Sequence, residues 1–593
     1  MSKEVVVKKV LLLFAVVSLL IPLRSALPQT LSDYVKAVRG DTLVIKDYND
    51  MQQQNSLYQA MLLDTVNVPA GRVYMLERNG YYPLMNNPTT RRPTVIVGED
   101  RRILVNNHDA GSAPPLICGA SWGWGVNTGG IYAARNLTVE NCSMTPATAN
   151  ANLGWCFVYT DSANVRMTFN NCLFEHTRWV FVATYGANCN VTFRNCYFVN
   201  MNGQPCRRSA GVFDCFANLD TLLVENCTHI MAAGSMYRFR DYLFKRIIIN
   251  HNTFVDCAGY VFMNPGYQSN VSLTNNLFVN SNVQSYPAIH SIDTGEQDPD
   301  WLPMGLVNVY PDSADVANKT PRRFLCQNNL AYWDPLLANM DSILNAKKVD
   351  GVTNWRSQKI SMNSRTDSLF RDDAHYPYLV SDTWKNQMPT FTDSKDLFTT
   401  RLANLKAHAL AIVDTQGISL LPDWRLVNTT PDKYINADWP IPADLSYSDA
   451  GLQKAGLSGF PLGDLNWFPT RQPAWLAQRT AEYKSIDEAL NAGRLVTAVH
   501  DQGSLPAEFQ LQQNYPNPFN PSTTISFSLA KAGYVTLKVY NILGQEVGTL
   551  LDGYQAPRTY NLRFEGTGLA SGVYFYRLSA PGVDLVKKML LAK

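Results

Sequence analysis

A short phrase recurs between about Asn136 and Tyr332, and its spacing constrains the fold more than any other feature of the sequence. In each copy, apolar residues stand four and two places before a central Asn or His, with mostly polar residues between them. That alternation is typical of a half-buried strand. The copies centre on Asn141, Asn171, Asn195, Asn226, His251 and Asn275, and a degenerate copy centres on Asn328.

The inward-facing parity slips by one residue after each centre. Cysteines stand immediately beyond the first four centres, with Met or Phe two residues further on in the first three copies. A strand cannot change its inward face without a break, and Asn and His are enriched at positive φ, where a chain can turn a corner. Each phrase therefore predicts two short strands joined by a bend.

The bends are separated by 30, 24, 31, 25 and 24 residues, and the last gap is 53. A period near 24 with insertions indicates a solenoid whose repeats bury a core only by stacking. The segments lack the three-and-four spacing of helical repeats, and a second apolar phrase, as at 179–183 and 260–264, supplies a third strand per coil. We therefore predict an all-β fold, a parallel β-helix solenoid with N- and C-terminal caps.

The eleven cysteines all lie between Cys118 and Cys326, and four of them occupy one position of the repeat. Such a column can be a stack of small buried thiols, which is the interpretation we favour. Disulfides between neighbouring coils are the alternative, since the coil spacing permits them. The sequence has no Cys-x-x-Cys pair and no His-x-x-x-His spacing, so we expect no transition-metal site.

Charge and the N-terminus bear on location and partners. The net charge of +2 provides no strong field, so we expect no nucleic-acid partner. Residues 1–26 place Lys3, Lys8 and Lys9 ahead of an apolar run at 10–23, the pattern of a secretory signal peptide. We therefore expect the mature protein to be exported.

The chain order suggests further divisions. We assign 27–70 to an N-terminal cap and 71–333 to the parallel β-helix, because a solenoid end needs covering. Residues 334–499 contain three helical patterns and form either a C-terminal cap or a small accessory domain. Residues 500–510 form a polar linker.

Two resemblances follow from local motifs. The short β-rich runs from Gly71 to about 105 resemble the opening coils of secreted right-handed parallel β-helix proteins, including polysaccharide lyases. The Gly-rich stretch at 456–467, with its Leu-Gly-Asp and final Trp467, resembles the end of bacterial surface β-helix proteins.

Residues 511–593 change character to alternating strands that predict a small antiparallel β-sandwich. Their Asn-Tyr-Pro-Asn-Pro-Phe-Asn-Pro opening, their Tyr-Asn-Ile-Leu-Gly-Gln-Glu-Val turn and their Gly-Val-Tyr-Phe-Tyr-Arg-Leu strand resemble the type A C-terminal sorting domain of the type IX secretion system. The resemblance implies that this machinery is a partner and carries the protein across the outer membrane. It also implies release or attachment to surface lipopolysaccharide.

Standard catalytic signatures are absent from the sequence: it has no nucleophile elbow, no zinc-protease helix and no phosphate-binding loop. We therefore predict no cofactor. One cluster of carboxylates lies in a Gly- and Pro-containing loop, where it could bind calcium or could be a plain solvated loop. Its members are Asp293, Glu296, Asp298 and Asp300.

A candidate site follows from the register of the coils. Asp214 and Arg238 are 24 residues apart, as are Arg240 and Asn264, so each pair should lie side by side on the outer face. Lys245 follows shortly, which makes this face basic. The pairing of Asp214 with Arg238 is also consistent with a simple ion pair between coils.

The resemblance to lyases would give these residues roles. Lyases of uronic acids need a cation to neutralise the sugar carboxylate and a Lys or Arg to remove the neighbouring proton. Arg238, Arg240 and Lys245 are the candidates for catalysis, and Asp214, Tyr237 and Asn264 are the candidates for glycan binding.

Two classes of function fit the sequence. The first is a surface protein that binds or cleaves an acidic polysaccharide. The second is a non-catalytic structural or adhesive protein whose solenoid is itself the function, since the same scaffold serves both.

Overall fold

The computed structural model describes most of the chain. The described residues are 29–51, 55–99, 104, 113–119, 130–147, 156–177, 179–201, 211–240, 242–263, 268, 270–287, 302–311, 322–348, 353–393, 395–411, 439, 443–497, 509–531, 533–555, 559–580 and 582–592. The predicted signal peptide and the carboxylates of the 293–300 loop lie outside these residues.

Three long sheets, here called A, B and C, form the walls of a solenoid. Sheet A comprises β1 (Val35–Arg39), β2 (Thr42–Ile45), β3 (Val73–Leu76), β5 (Thr94–Gly98), β8 (Leu137–Glu140), β11 (Arg166–Asn170), β14 (Cys189–Arg194), β17 (Leu219–Glu225), β20 (Phe244–Asn250), β23 (Val271–Thr274), β26 (Phe324–Gln327) and β29 (Leu379–Ser381). Sheet B comprises β4 (Tyr81–Leu84), β6 (Leu116–Gly119), β9 (Ser143–Thr145), β12 (Leu173–Glu175), β15 (Tyr197–Met201), β18 (Thr228–Ala232), β21 (Thr253–Cys257), β24 (Leu277–Ser281) and β27 (Leu330–Tyr332). Sheet C comprises β7 (Ile131–Tyr132), β10 (Cys156–Thr160), β13 (Val180–Thr184), β16 (Gly211–Cys215), β19 (Tyr237–Arg238) and β22 (Phe262–Met263).

Each full coil runs through one strand of A, one of B and one of C before it returns to A. Strand β11, for example, pairs in parallel with β8 below it and β14 above it, with Phe169 opposite both Val139 and Phe193. The predicted parallel β-helix is therefore confirmed.

The corner between sheets A and B lies where the repeat predicts it. Every predicted centre has a positive φ, in the range of 50° to 59°: Asn141, Asn171, Asn195, Asn226, His251, Asn275 and Asn328. A second corner with positive φ follows five residues later in five coils, and the sequence analysis did not identify it: His176, Asn200, Met231, Asp256 and Asn280. This second corner uses varied side chains and so leaves a weaker signal in the sequence.

Matching side chains stack inside the solenoid. Phe174, Phe198, His229, Phe254 and Phe278 form one column, in which successive ring centroids are 4.2 to 4.9 Å apart. Burial lowers the pKa of His229 to about 3, so this ring is neutral and packs as an aromatic member of the column.

The cysteine column is also present. Cys142, Cys172, Cys196 and Cys227 are completely buried in the same core. All ten cysteines of the described part of the chain are free thiols, as expected for a stack of small buried side chains. In the next three coils the column continues as Asn252, Asn276 and Asn329.

The parallel sheet extends beyond the limits that the repeat suggests. Strand β2 already pairs in parallel with β3, and β29 pairs in parallel with β26, so the solenoid begins before residue 71 and continues past 333. Strand β1 is antiparallel to β2 and ends the sheet. Three short helices complete the N-terminal end: α1 (Leu31–Tyr34), α2 (Tyr48–Met51) and α3 (Ser56–Leu63).

The region after 333 packs against the side of the solenoid. Its regular elements are the 3-10 turns Pro335–Leu337, Leu452–Lys454, Leu457–Gly459 and Leu465–Trp467, the strand β28 (Trp355–Arg356), which pairs with β25 (Tyr286–Pro287), and the helices α4 (Met340–Lys347), α5 (Ser364–Phe370), α6 (Lys395–Ala411) and α7 (Gln472–Ala492). Leu402, Leu405 and Trp467 share an apolar cluster with Val199 and Val279 of sheet B. The outer side of sheet B is therefore part of a second core, which the described residues of this region share with the solenoid.

We call residues 443–492 the flank segment, because they follow the A/B corner along several coils. The Gly463 amide donates to the Asn275 carbonyl at 2.8 Å, and Asn466 reaches Asn195 and Asn226. Gly463 has φ +80°, and a Cβ there would lie 2.4 Å from the Thr253 hydroxyl oxygen. The Gly-rich motif noted in the sequence thus allows close approach to the corner.

The C-terminal residues form the predicted antiparallel sandwich. One sheet contains β30 (Gln510–Leu511), β31 (Ser522–Ser528) and β34 (Thr559–Glu565), and the other contains β32 (Gly533–Asn541), β33 (Glu546–Gln555), β35 (Gly572–Ala580) and β36 (Val583–Leu591). The sandwich has its own core around Ile525, Leu537 and Tyr576.

Candidate functional site

Three of the candidate residues, Asp214, Arg238 and Arg240, lie on or beside the outer side of sheet C. The outer side of sheet B is covered by apolar contacts, and helix α7 lies over the later strands of sheet A. In that contact, Arg479 pairs with Glu225 at 2.7 Å and Asn250 donates to Glu482 at 3.0 Å. The outward side chains of sheet C are therefore the ones that form the candidate site.

One outward ladder runs across five strands of sheet C. Tyr132, Tyr159, Ala183, Asp214 and Arg238 are opposite one another in successive coils. The predicted adjacency of Asp214 and Arg238 is confirmed. The ladder changes from aromatic to charged along the solenoid axis.

Asp214 is the centre of the charged part. Its carboxylate is completely buried and accepts hydrogen bonds from Arg240 Nε at 2.7 Å and from Arg240 Nη2 at 2.9 Å. The Trp179 indole donates to the same carboxylate at 3.2 Å, and Arg238 Nη1 lies 3.5 Å away. A buried carboxylate needs such partners, because isolation from water would otherwise cost several kcal/mol.

An aromatic surface lies beside this carboxylate. Tyr185 stacks on Phe216 with ring centroids 4.6 Å apart, and the Arg240 guanidinium lies 4.2 Å from the Phe216 centroid. Tyr132 and Tyr159 form a second stacked pair, 5.0 Å apart. We call Tyr132, Tyr159, Tyr185, Phe216 and Arg240 the sheet C platform.

The tyrosines of the platform are neutral at physiological pH. Burial raises the pKa of Tyr185 to about 12, and the nearby Cys156 and Asp214 contribute in the same direction. A hydrogen bond to Asp161 is the main cause of the raised pKa of Tyr132. The phenols of Tyr132 and Tyr185 can therefore act as stacking surfaces and hydrogen-bond donors. Neither of these two provides a phenolate base at neutral pH.

The structure separates some of the predicted site residues. Tyr237 points into the core, where it is completely buried and its hydroxyl lies 2.8 Å from His229 Nε2, so it does not present a glycan-binding surface. The exposed Lys245 lies on sheet A and pairs with Asp220 at 2.6 Å, so it does not join the two arginines. The reason is that one turn separates sheet C from sheet A between Arg238 and Lys245.

The register beyond Arg238 also differs from the expected one. Arg238 is opposite Met263, 25 residues later, because this coil contains one residue more than the previous coil. Asn264, the predicted neighbour of Arg240, lies outside the described residues.

His251, the centre of the next A/B corner, is held by packing and polar contacts of the flank segment. His251 is buried at the A/B corner, packed edge-on against Trp475 and 3.5 Å from Glu482. Among the described residues, no group of three or more His, Cys, Asp or Glu side chains is arranged to hold a metal ion.

Sequence reasoning missed most of the aromatic platform. Arg240 follows Phe216 by the period of 24 residues, so the sequence contained that pair, whereas Tyr185 follows Asp161 by the same interval and an aspartate indicates no aromatic ladder. The coil between Tyr185 and Phe216 is 31 residues long, and this insertion hid the ladder. Trp179 repeats Trp155 at the 24-residue interval, but a repeated Trp gives no indication of a hydrogen bond to Asp214, which lies 35 residues further along the chain.

Within the described part of the chain, no helix combines the length and the apolar character needed to cross a bilayer.

Comparisons with known proteins agree with this architecture. Residues 124–297 match a family described as right handed beta helix region, and residues 513–592 match a family described as secretion system C-terminal sorting domain. No curated protein matches the chain. The chain is thus a right-handed β-helix protein whose C-terminal sorting domain directs type IX secretion to the cell surface or the medium.

Proposed function

We propose that this exported β-helix binds an acidic polysaccharide on the sheet C platform. The observation that carries the proposal is the juxtaposition of stacked aromatic rings with a partly exposed guanidinium. Tyr185 is 37% exposed, and the Arg240 side chain is 25% exposed beside it.

The chemistry of an acidic glycan fits both parts of the platform. The carbon-bearing faces of sugar rings are apolar and pack on aromatic rings, while their hydroxyl groups remain hydrated. A guanidinium carries five N–H donors in a planar fork, which suits a sugar carboxylate. Asp214 and Phe216 hold the Arg240 guanidinium on two sides, so little side-chain entropy is lost on binding.

Binding is better supported than cleavage. A lyase needs a group that removes a proton, whereas the guanidinium groups of Arg238 and Arg240 both converge on the Asp214 carboxylate as hydrogen-bond donors. Lys245, the remaining candidate base, is on a different sheet. Cleavage by a lyase mechanism is retained as a second candidate because Arg240 is partly exposed.

The test measures binding of the full chain to pectin, alginate, glycosaminoglycans and a neutral glucan. We expect binding to at least one acidic glycan, about tenfold weaker in Tyr185→Ala and Arg240→Gln, as for the loss of an aromatic or arginine contact at an interface. Lys245→Ala is the matched control and should bind as the wild type does. Equal binding by all three variants would contradict the proposal that the glycan binds on the sheet C platform.

The same samples distinguish cleavage and scaffolding. Growth of ultraviolet absorbance from unsaturated uronides, lost in Arg240→Gln, would identify a lyase. Absence of binding to every glycan would favour the structural or adhesive class instead.

A further inference from the structure

We infer that the β32–β33 hairpin tip of the sorting domain inserts two apolar side chains into a pocket of the type IX secretion machinery. Ile542 and Leu543, at the centre of this turn, are 70% and 76% exposed. They take no part in the apolar core of the sandwich. The inference concerns export and is independent of the proposed glycan binding.

Hydrogen bonds define the backbone conformation of the hairpin tip. The Asn541 side-chain carbonyl accepts hydrogen bonds from the backbone amides of Leu543 at 2.9 Å and Gln545 at 3.0 Å. The Gly544 amide donates to the Asn541 carbonyl at 3.0 Å, and Gly544 has φ +77°. Asn at the first position and Gly in the left-handed position are what a tight hairpin turn of this type requires.

The turn geometry does not require the two central residues to be apolar. The central positions of a tight turn are compatible with most residues and are usually polar, because they face water. Two large aliphatic side chains there expose apolar surface whose burial against a partner would be favourable. Their exposure at a hydrogen-bonded tip therefore points to a partner.

The kind of partner follows from the domain that carries the tip. Residues 513–592 match a sorting domain, so a component of the secretion machinery must contact this sandwich during export. The base of the hairpin carries a paired charge, Lys538 with Glu546 at 3.0 Å, so the hairpin presents a polar stem and an apolar end. A pocket lined by aliphatic or aromatic side chains is the complementary surface.

The sandwich itself offers a matched control. Tyr534 and Val586 are also exposed apolar residues of the same sheet, 59% and 57% exposed. Tyr534 lies at the other end of β32, about 23 Å from Asn541 at the usual rise per residue. Substituting these two residues removes a similar amount of exposed apolar surface from a different place.

The experiment expresses the full chain in a bacterium that has a type IX secretion system and compares cell-surface and periplasmic amounts. We expect Ile542→Ser with Leu543→Ser to lower the exported fraction at least about fivefold, as for the loss of an anchoring contact. Ile542→Val with Leu543→Met should restore export, because the tip stays apolar. Tyr534→Ser with Val586→Ser should export normally.

Two outcomes would overturn the inference. One is normal export of the serine variant. The other is an equal loss of export in the control variant, which would assign the effect to general surface change. Thermal unfolding of each purified chain separates recognition from folding, and the serine variant should unfold at the wild-type temperature. Where the serine variant is exported normally, a changed oligomeric state would assign the tip to contacts between copies.

Discussion

Left-handed backbone at the A/B corner is carried by Asn in six of the seven copies and by His251 in the other. Asn tolerates positive φ better than most residues, and its side chain can also bond to the next coil. The Asn171 amide, for example, donates to Asn141 Oδ1 at 2.8 Å. The corner was therefore predictable from sequence, because one residue type satisfies both the backbone and the ladder.

Asp464 shows how a buried residue gives pH dependence. Its carboxyl is buried between the flank segment and sheet B, where it accepts hydrogen bonds from the Thr228 hydroxyl at 2.8 Å and from the Asn466 amide at 2.9 Å. Burial raises the pKa of Asp464 to about 8. The protonated form is therefore the one that fits the folded protein.

This burial predicts a falling stability as the pH rises. In the unfolded chain the carboxyl ionises near pH 4, whereas in the folded chain it stays protonated to about pH 8. The unfolded state thus binds fewer protons between these values, and the contribution of Asp464 decreases by at most about 1.4 kcal/mol per pH unit. Asp464→Asn should flatten the dependence of the unfolding free energy on pH from 5 to 8, measured by urea denaturation. An identical slope in wild type and variant would contradict the assignment.

At the scale of elements, the internal columns determine how coils hold together. The cysteine column packs through small buried side chains, whereas the asparagine column forms a hydrogen-bonded ladder. Asn276 donates to the Ile249 carbonyl and to Asn329 Oδ1, both at 3.0 Å, and its own oxygen accepts from Asn252 at the same distance. A change of residue type within one column therefore changes the kind of cohesion between coils.

The two parts of the column should respond differently to truncation. Asn276→Ala removes the acceptor of the buried Asn252 backbone amide and the side-chain bonds to Ile249 and Asn329, so we expect a loss of about 2–4 kcal/mol in the free energy of unfolding. Cys196→Ala, at the equivalent position, removes only a small buried side chain and should cost below about 1.5 kcal/mol. Chemical denaturation of both variants checks this order. Equal losses of unfolding free energy would contradict the claim that the asparagine ladder stabilises the coils by hydrogen bonding.

Sheet C shows where element-level prediction stopped. Asp214 and Arg238 could be paired in advance, because their coils differ by the regular 24 residues. Arg240 instead turns back to Asp214, since it has φ 50° immediately after the strand, and one added residue moved the next coil out of register. Local deviations of this kind are invisible in a periodic pattern.

At the scale of the whole molecule, the sorting domain and the solenoid are structurally separate parts of the chain. The sorting domain has its own two sheets and its own core, and the solenoid core is separate from it. A chain that ends at residue 508 should therefore fold as a solenoid and remain in the periplasm, because it lacks the sorting domain. Cell fractionation with circular dichroism of the retained protein measures both. Export of the truncated chain to the surface would contradict the separation.

The sequence by itself determined the period, the A/B corner, the stacked columns and the export domain of this protein. Each of these depends on local residue chemistry that repeats or on a contiguous motif. Tertiary structure alone decided that Leu402, Leu405 and Trp467 pack on sheet B, that Tyr237 turns inward, and that Trp179 and Arg240 converge on Asp214. These contacts join residues far apart in the sequence or at irregular intervals, so packing rather than periodicity selects them.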